Sequence, residues 1–160
     1  MFYTIETIES ICQSLRLKGK NIILATGFFD LLHQEHINFL TKAKATGDIL
    51  IVAVESDERA RTLKGEGRPI QTQAVRCQAL LELQKIVDYV IALGSDFNNQ
   101  IAFENLISVI QPNFLAVSSH TKHQDKKKAL VEKYGGKLSI VHGWNPKIST
   151  TELINSKKQL

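Results

Sequence analysis

The chain has only two cysteines in 160 residues, and Cys12 and Cys77 stand far apart with no ligand spacing around them. That excludes a disulfide-stapled scaffold and a thiolate zinc site, and it suits a reducing compartment. No apolar run approaches the roughly 18 residues that a membrane span needs, so no membrane partner is expected. The first residues, MFYTIETIES, lack the basic start and apolar core of a secretory signal, so a cytoplasmic location is the default expectation. There is no internal repeat, low-complexity tract or Pro/Gly-rich linker. Residues 1–160 therefore read as a single domain, long enough to bury a core.

What is present is globular in character. Hydrophobic residues make up 43% and charged residues 22% of the chain, unlike a disordered segment. The net charge is +4, but the basic residues are scattered apart from Lys126-Lys127-Lys128 and Lys157-Lys158. Most of this excess reads as solvated surface, with a share left for small phosphorylated ligands. No interleaving of aromatic and basic residues marks a nucleic-acid surface, and no nucleic-acid partner is expected.

Periodicity divides the chain into alternating strands and helices. Residues 4–17 carry Ile5, Ile8, Ile11, Cys12 and Leu15 on one helical stripe. NIILAT (21–26) and DILIVAVE (48–55) are short apolar runs fit for buried strands, as are 88–93, 114–118 and 137–142. Helices are expected over 34–46, 57–63, 72–84, 97–110, 122–134 and from about 149, with a loop over 63–70. Continuous rather than alternating apolar strands, separated by helices, predict an α/β fold. It is a three-layer parallel sheet of about five strands with helices on both faces. In such sheets ligands bind beyond the carboxyl ends of the strands, where the strand order switches.

Three segments carry candidate chemistry. TGFFDLLHQEH (26–36) follows the first strand and opens a helix, placing His33 and His36 three residues apart on one face. Two imidazoles beside unpaired helix-start N–H groups suit a phosphate, although two histidines alone are an ordinary surface pair. Ser149-Thr150-Thr151-Glu152 is a capping-box pattern whose hydroxyls can also grip phosphate oxygens. Lys64, Arg68 and Arg76 lie on or beside the Gly-rich loop and could bring positive charge over phosphates. His120 and His123 have the spacing of a metal pair, but no third ligand is near and no metal site is assigned.

Joined in this order, the segments resemble the cytidylyltransferase-like nucleotidyltransferase superfamily, a Rossmann-like fold. Its signature is Gly-x-Phe-Asp-x-x-His-x-Gly-His after the first strand, and a late Ile-Ser-Thr-Thr/Ser turn. Gly27, Phe29, Asp30, His33 and His36 match the first part, and Ile148 to Thr151 the second. Residues 43–70 look like the adenylyltransferase domains of ADP-heptose synthesis, with glycerol-3-phosphate cytidylyltransferases a more distant likeness. The resemblance implies transfer of AMP or CMP from ATP or CTP to a phosphorylated sugar or polyol, releasing pyrophosphate. It implies catalytic roles for His33, His36, Lys64 and Arg76. Nucleotide binding would fall to Thr26, Gly27, Phe28, Phe29, Asp30, Glu35, Ser118, Ser149, Thr150 and Thr151. Mg2+ would accompany the nucleoside triphosphate, and a homodimer is implied, with Phe2 and Tyr3 of the N-terminal segment as candidate contributors.

Three departures fall at this presumed site. Glu35 stands where the signature has a glycine, and its carboxylate competes with phosphates for the same helix start. Val117-Ser118-Ser119-His120 replaces a Lys-Gly-Gly-Asp stretch. Trp144-Asn145-Pro146-Lys147 replaces a segment that often carries arginine, and lysine lacks arginine's fork. Together they leave two readings: an enzyme with an altered substrate, or a catalytically impaired member acting as a nucleotide-binding or regulatory module.

Overall fold

A computed structural model describes residues 1–142 and 150–158 of the chain. The elements run α1 (Ile5–Leu17), β1 (Ile22–Gly27), α2 (Gln34–Lys44), β2 (Ile49–Val54), α3 (Asp57–Lys64) and α4 (Gln73–Leu81). They continue with β3 (Tyr89–Ala92), α5 (Gln100–Ile110), β4 (Phe114–Ser118), α6 (Gln124–Lys133), β5 (Lys137–His142) and α7 (Thr150–Lys158). The five strands form one parallel sheet in the order β3-β2-β1-β4-β5.

Both faces of this sheet are covered, which is why its strands are apolar throughout. Ile22 and Leu24 of β1 pack with Ile8 and Cys12 of α1, with α5 and with α6. Ile23 and Ala25, the alternate residues, pack with Leu40 and Ala43 of α2 and with Cys77 and Leu80 of α4. The two cysteines are therefore buried on opposite faces, and burial pushes both thiols up to about 11. They are small apolar fillers, not reactive groups. No described helix is long and apolar enough to cross a membrane.

Several boundaries differ from the periodicity for local reasons. α5 begins at Gln100 rather than 97, because the Asn99 side chain accepts from Ala102 N–H at 2.9 Å and asparagine is a favoured cap. Phe97 is instead tucked into the preceding turn. α4 stops at Leu81; Ile86 N–H and Val87 N–H then turn back onto the Leu83 carbonyl, burying Val87 at the approach to β3. Tyr3 docks on the chain's own edge strand, donating to Val90 O and accepting from Ala92 N–H, each at 2.8 Å.

The register explains where a crevice opens. β1 pairs with β2 along its whole length, from Ile22 to Gly27. With β4 it pairs only at Ile23↔Phe114 and Leu24↔Leu115. Beyond these residues the two strands part. The chain builds outward from β1 to β2 and β3, then returns to the other side of β1 for β4 and β5, so the parting lies at the switch in strand order.

Gly136 lets β5 start close under the preceding loop: a Cβ there would collide with the Pro112 carbonyl oxygen and come within 2.8 Å of Val131 Cγ2. Gly136→Ala should lower stability by about 2 kcal/mol. It would be read as a reduced urea midpoint with unchanged denaturant slope, and a wild-type midpoint would contradict this packing.

Candidate functional site

The site begins with a glycine that makes room for an aromatic ring. A Cβ on Gly27 would stand 3.0 Å from Phe29 Cε2. The Phe29 ring folds back over β1 and meets His36 edge-on, with centroids 5.5 Å apart. His36 stacks in turn on His33, centroids 3.8 Å apart and planes 19° from parallel. His33 is the cap residue of α2, and its backbone N–H donates to His36 Nδ1 at 3.4 Å. The other face of the pair is open to the cleft, and His33 Nδ1 is buried without a hydrogen-bond partner among the described residues.

Electrostatics hold both imidazoles neutral. Burial lowers His36 most, with the charges of His33 and Lys64 adding to it, and the ring is pushed down to about 3. Burial also lowers His33, opposed by the Glu35 carboxylate. Two cations stacked at this distance would repel, which further disfavours protonating both rings together.

The loop after β1 is strained and tied down. Phe29 and Leu31 adopt left-handed φ of 54° and 50°, each costing about 1–2 kcal/mol in a non-glycine residue. Between them Asp30 is 2% exposed. Its carboxylate accepts from Ile70 N–H at 2.8 Å and Gln71 N–H at 3.0 Å, and lies 3.5 Å from Arg68 Nε. Its carbonyl accepts from the Thr150 hydroxyl at 2.7 Å.

These elements enclose a cleft of about 370 Å3 at the carboxyl ends of β1 and β4. His33, His36, Thr150 and Thr151 all line it, as do Thr26, Gly27, Phe28, Phe29, Asp30, Glu35, Lys64 and Ser118. Ser149 lies outside the described residues, as do Trp144 to Lys147. Lys64 is the last residue of α3 rather than part of the loop, which begins at Gly65; its Nζ sits 4.9 Å over the Phe28 ring. Loss of surrounding water, then the Arg68 charge, lowers the Lys64 pKa.

Arg76 does not face the cleft. It is fully buried, donating to Gln71 O at 3.1 Å, Phe28 O at 2.6 Å and Glu55 O at 2.9 Å, and pairing with Asp57 Oδ1 at 2.7 Å. Its guanidinium braces the ends of β1 and β2 and is taken up by protein groups, so the structure places it behind the wall. Asp30 likewise turns its carboxylate to backbone N–H groups. In front of the wall stand residues that sequence reasoning missed: Glu55, His120, Thr121 and Lys127. Lys127 belongs to the basic triplet 126–128, to which the sequence assigns no site role; burial lowers its pKa, with Glu55 opposing. His120 and His123, weighed above as a pair, line different cavities.

Comparisons with known proteins identify the family and the fold. Residues 24–156 match the model of the family described as Cytidylyltransferase-like. A relative named Bifunctional protein HldE from Desulfatibacillum aliphaticivorans is 34% identical over 151 residues, covering 94% of this chain and 29% of the relative. Another of that name from Wolinella succinogenes is 42% identical over 110 residues, covering 69% of this chain and 22% of the relative. The chain thus spans less than a third of the length of these curated relatives. Among solved structures, the lipopolysaccharide core biosynthesis protein of Thermoplasma volcanium superposes with a TM-score of 0.61 at 30% identity, covering 78% of this chain and 96% of that one. Pantoate-beta-alanine ligase from Francisella tularensis, at 18% identity, shares the fold with a TM-score of 0.64 over 99% of this chain and 77% of its own.

Two outcomes follow. An unfolded histidine takes a proton near 6.5, whereas folded His36 holds out to about 3. Its contribution to stability is complete above pH 6.5 and declines as pH falls toward 3, because the unfolded chain binds the proton first. Urea midpoints at pH 7.5 and 4.5 should show this decline, and His36→Gln should lessen it; equal declines would contradict the burial of the ring. Separately, Arg76→Lys should cost about 2–4 kcal/mol of stability, since a single ammonium cannot serve three carbonyls and Asp57. A variant that loses turnover but keeps its melting temperature would instead make Arg76 a ligand-facing group.

Proposed function

The chain belongs to the Cytidylyltransferase-like family, and from that premise we propose that it transfers an adenylyl or cytidylyl group from ATP or CTP to a phosphorylated sugar or polyol. The observation that carries this reading is the convergence of the His33–His36 stack with Thr150 and Thr151 on one cleft. The relatives named HldE and the likeness of residues 43–70 to ADP-heptose-type adenylyltransferases support a sugar phosphate as acceptor.

The chemistry asks little of the protein beyond position and charge. An oxygen of the acceptor phosphate attacks the α-phosphorus, the bond to the β-phosphate oxygen breaks, and its electron pair leaves with pyrophosphate. The acceptor phosphate is already anionic at neutral pH, so no base is required. His33 and His36 donate N–H bonds to the triphosphate and gain protons in its field. The Thr151 hydroxyl and the first N–H groups of α7 hold the departing phosphates, while the Thr150 hydroxyl, which donates to the Asp30 carbonyl, fixes that helix start. Lys64 and Lys127 neutralise charge where the acceptor enters, and Arg76 and Asp30 keep the wall in place.

The donor set fits a magnesium ion carried by the nucleotide. Among the described residues no three His, Cys, Asp or Glu side chains converge on one point. Asp30 is engaged by backbone N–H groups and Glu55 by Arg59. Phosphate oxygens and water would hold the ion, which when bound offsets part of the triphosphate charge.

Glu35 favours a second reading. Glu35 lines the cleft, its carboxylate accepts from the Asn38 amide at 3.5 Å, and its charge acts on His33, so it opposes an incoming phosphate at a cost on the order of 1 kcal/mol. A chain that binds nucleotide without turning it over would follow if that opposition dominates.

Pyrophosphate release with ATP or CTP over a panel of phosphorylated sugars and polyols tests both. The transferase reading expects release, reduced about 100-fold or more in His36→Asn. Nucleotide binding by calorimetry without release, with turnover gained in Glu35→Gly, would identify the impaired module. Neither binding nor release would refute both.

A further inference from the structure

A second, larger lobe of about 680 Å3 shares a wall with the cleft. Thr26, Phe28, Glu55, Lys64 and Lys127 border both. Its further apolar lining is Leu63, Phe97, Phe103 and Leu130, and the starts of α5 and α6 open onto it through Asn99, Gln100 and His123.

The two lobes differ sharply in charge. Among the described lining residues, the cleft carries Asp30, Glu35 and Glu55 against Lys64 and Lys127, a formal balance of −1 with histidines neutral. The second lobe carries Arg59, Lys64, Lys122, Lys126 and Lys127 against Glu55 alone, a balance of +4. A triphosphate seated on the histidines does not account for this distribution. Nor does a single acceptor phosphate, because that phosphate must lie at the shared border to reach the α-phosphorus. Lys64 and Lys127 are there to meet it.

Lys122 and Lys126 remain. They border the second lobe but not the cleft, and neither forms an ion pair among the described residues. Arg59, by contrast, is held 3.5 Å from Glu55. The first turns of α5 and α6 add the positive ends of two helices to the same space. A hydroxyl tail would leave this charge unanswered, whereas an anionic group would meet it. The volume lies within the range of small-ligand sites.

We infer that the second lobe holds the acceptor, and that the acceptor carries two anionic groups. One is the phosphate that reacts at the border with the cleft. The other, a phosphate or a carboxylate, sits at the far end of a short sugar or polyol and is met by Lys122 and Lys126. The inference rests on the proposed function, since it takes the cleft to be the nucleotide's.

Three probes on one ring system test it: glucose 1-phosphate, glucose 1,6-bisphosphate and glucuronic acid 1-phosphate. Calorimetry would be run on the full chain with a non-hydrolysable ATP or CTP analogue present. At least one doubly anionic probe should bind about tenfold tighter than glucose 1-phosphate, and which one does so distinguishes a second phosphate from a carboxylate. The double variant Lys122→Gln/Lys126→Gln should bring the preference within about twofold. Lys42→Gln/Lys85→Gln, which removes two exposed lysines bordering neither lobe, should retain it. Equal affinity for all three probes, binding by none, or equal loss in both double variants would overturn the inference. Pyrophosphate release without any preference would overturn it while leaving the transferase reading intact. A retained preference without release would strike at the transferase reading instead.

Discussion

Asp30 joins three parts of the chain that have no local reason to meet. Its carboxylate holds the backbone of Ile70 and Gln71, forty residues on, and its carbonyl holds the hydroxyl of Thr150, a hundred and twenty residues on. Each of these bonds is worth about 1 kcal/mol on its own, and more where a carboxylate is the acceptor. Their geometric effect is larger. Asp30 can point inward only because Phe29 and Leu31 on either side take left-handed backbone angles. That turn also sends the Phe29 ring back over Gly27 and against His36. One buried residue, through its carboxylate and its carbonyl, thus ties together the loop, the histidine stack and the entry of α7.

Arg76 is the complementary brace. It is a cation buried where a phosphate-binding residue was expected, and its donors end on three carbonyls and Asp57. A buried charge is tolerable only when its donors find partners, and here Phe28 and Glu55 at the ends of β1 and β2 supply two, Gln71 and Asp57 the others. With Arg76 and Asp30 both engaged by the protein, positive charge at the site has to come from elsewhere. It comes from Lys64 at the end of α3 and Lys127 in the first turn of α6, each close enough to protein atoms for burial to lower its pKa.

The strands were legible because burial on both faces leaves continuous apolar runs, as in residues 22–25 and 49–54. The histidine pair was legible because helical spacing alone puts residues 33 and 36 on one face. Thr150 was legible only through its motif, since nothing in the sequence states that residue 150 touches residue 30. Arg76 shows the limit of reading by residue type: an arginine near a Gly-rich loop has the right charge, but only packing decides which way the fork points. Glu55, His120 and Lys127 were missed for a different reason. They reach one cleft because β4 lies beside β1 and β2 does so on the other side, and that ordering of strands leaves no periodic trace in the chain. Within the basic triplet at 126–128, nothing in the sequence says which lysine turns to a cavity until the start of α6 is placed beside one.

The charge distribution then bears on how a nucleotide is held. The cleft's fixed groups sum to slightly negative, and its two imidazoles are neutral when no anion is present. On the proposed reading, a triphosphate would not enter a site already positive. It would meet N–H donors, a hydroxyl and a helix start, with its countercharge supplied as protons on the histidines and as a cation on its own oxygens. Such a site gains positive charge in step with the ligand. It also avoids the strain of keeping two stacked imidazolium rings in the empty protein. Glu35 beside His33 fits this economy in one respect, since a neighbouring carboxylate eases protonation of the imidazole even as it opposes the phosphate. Which effect prevails depends on where the carboxylate lies relative to the bound anion, and that balance separates an active transferase from a binding module.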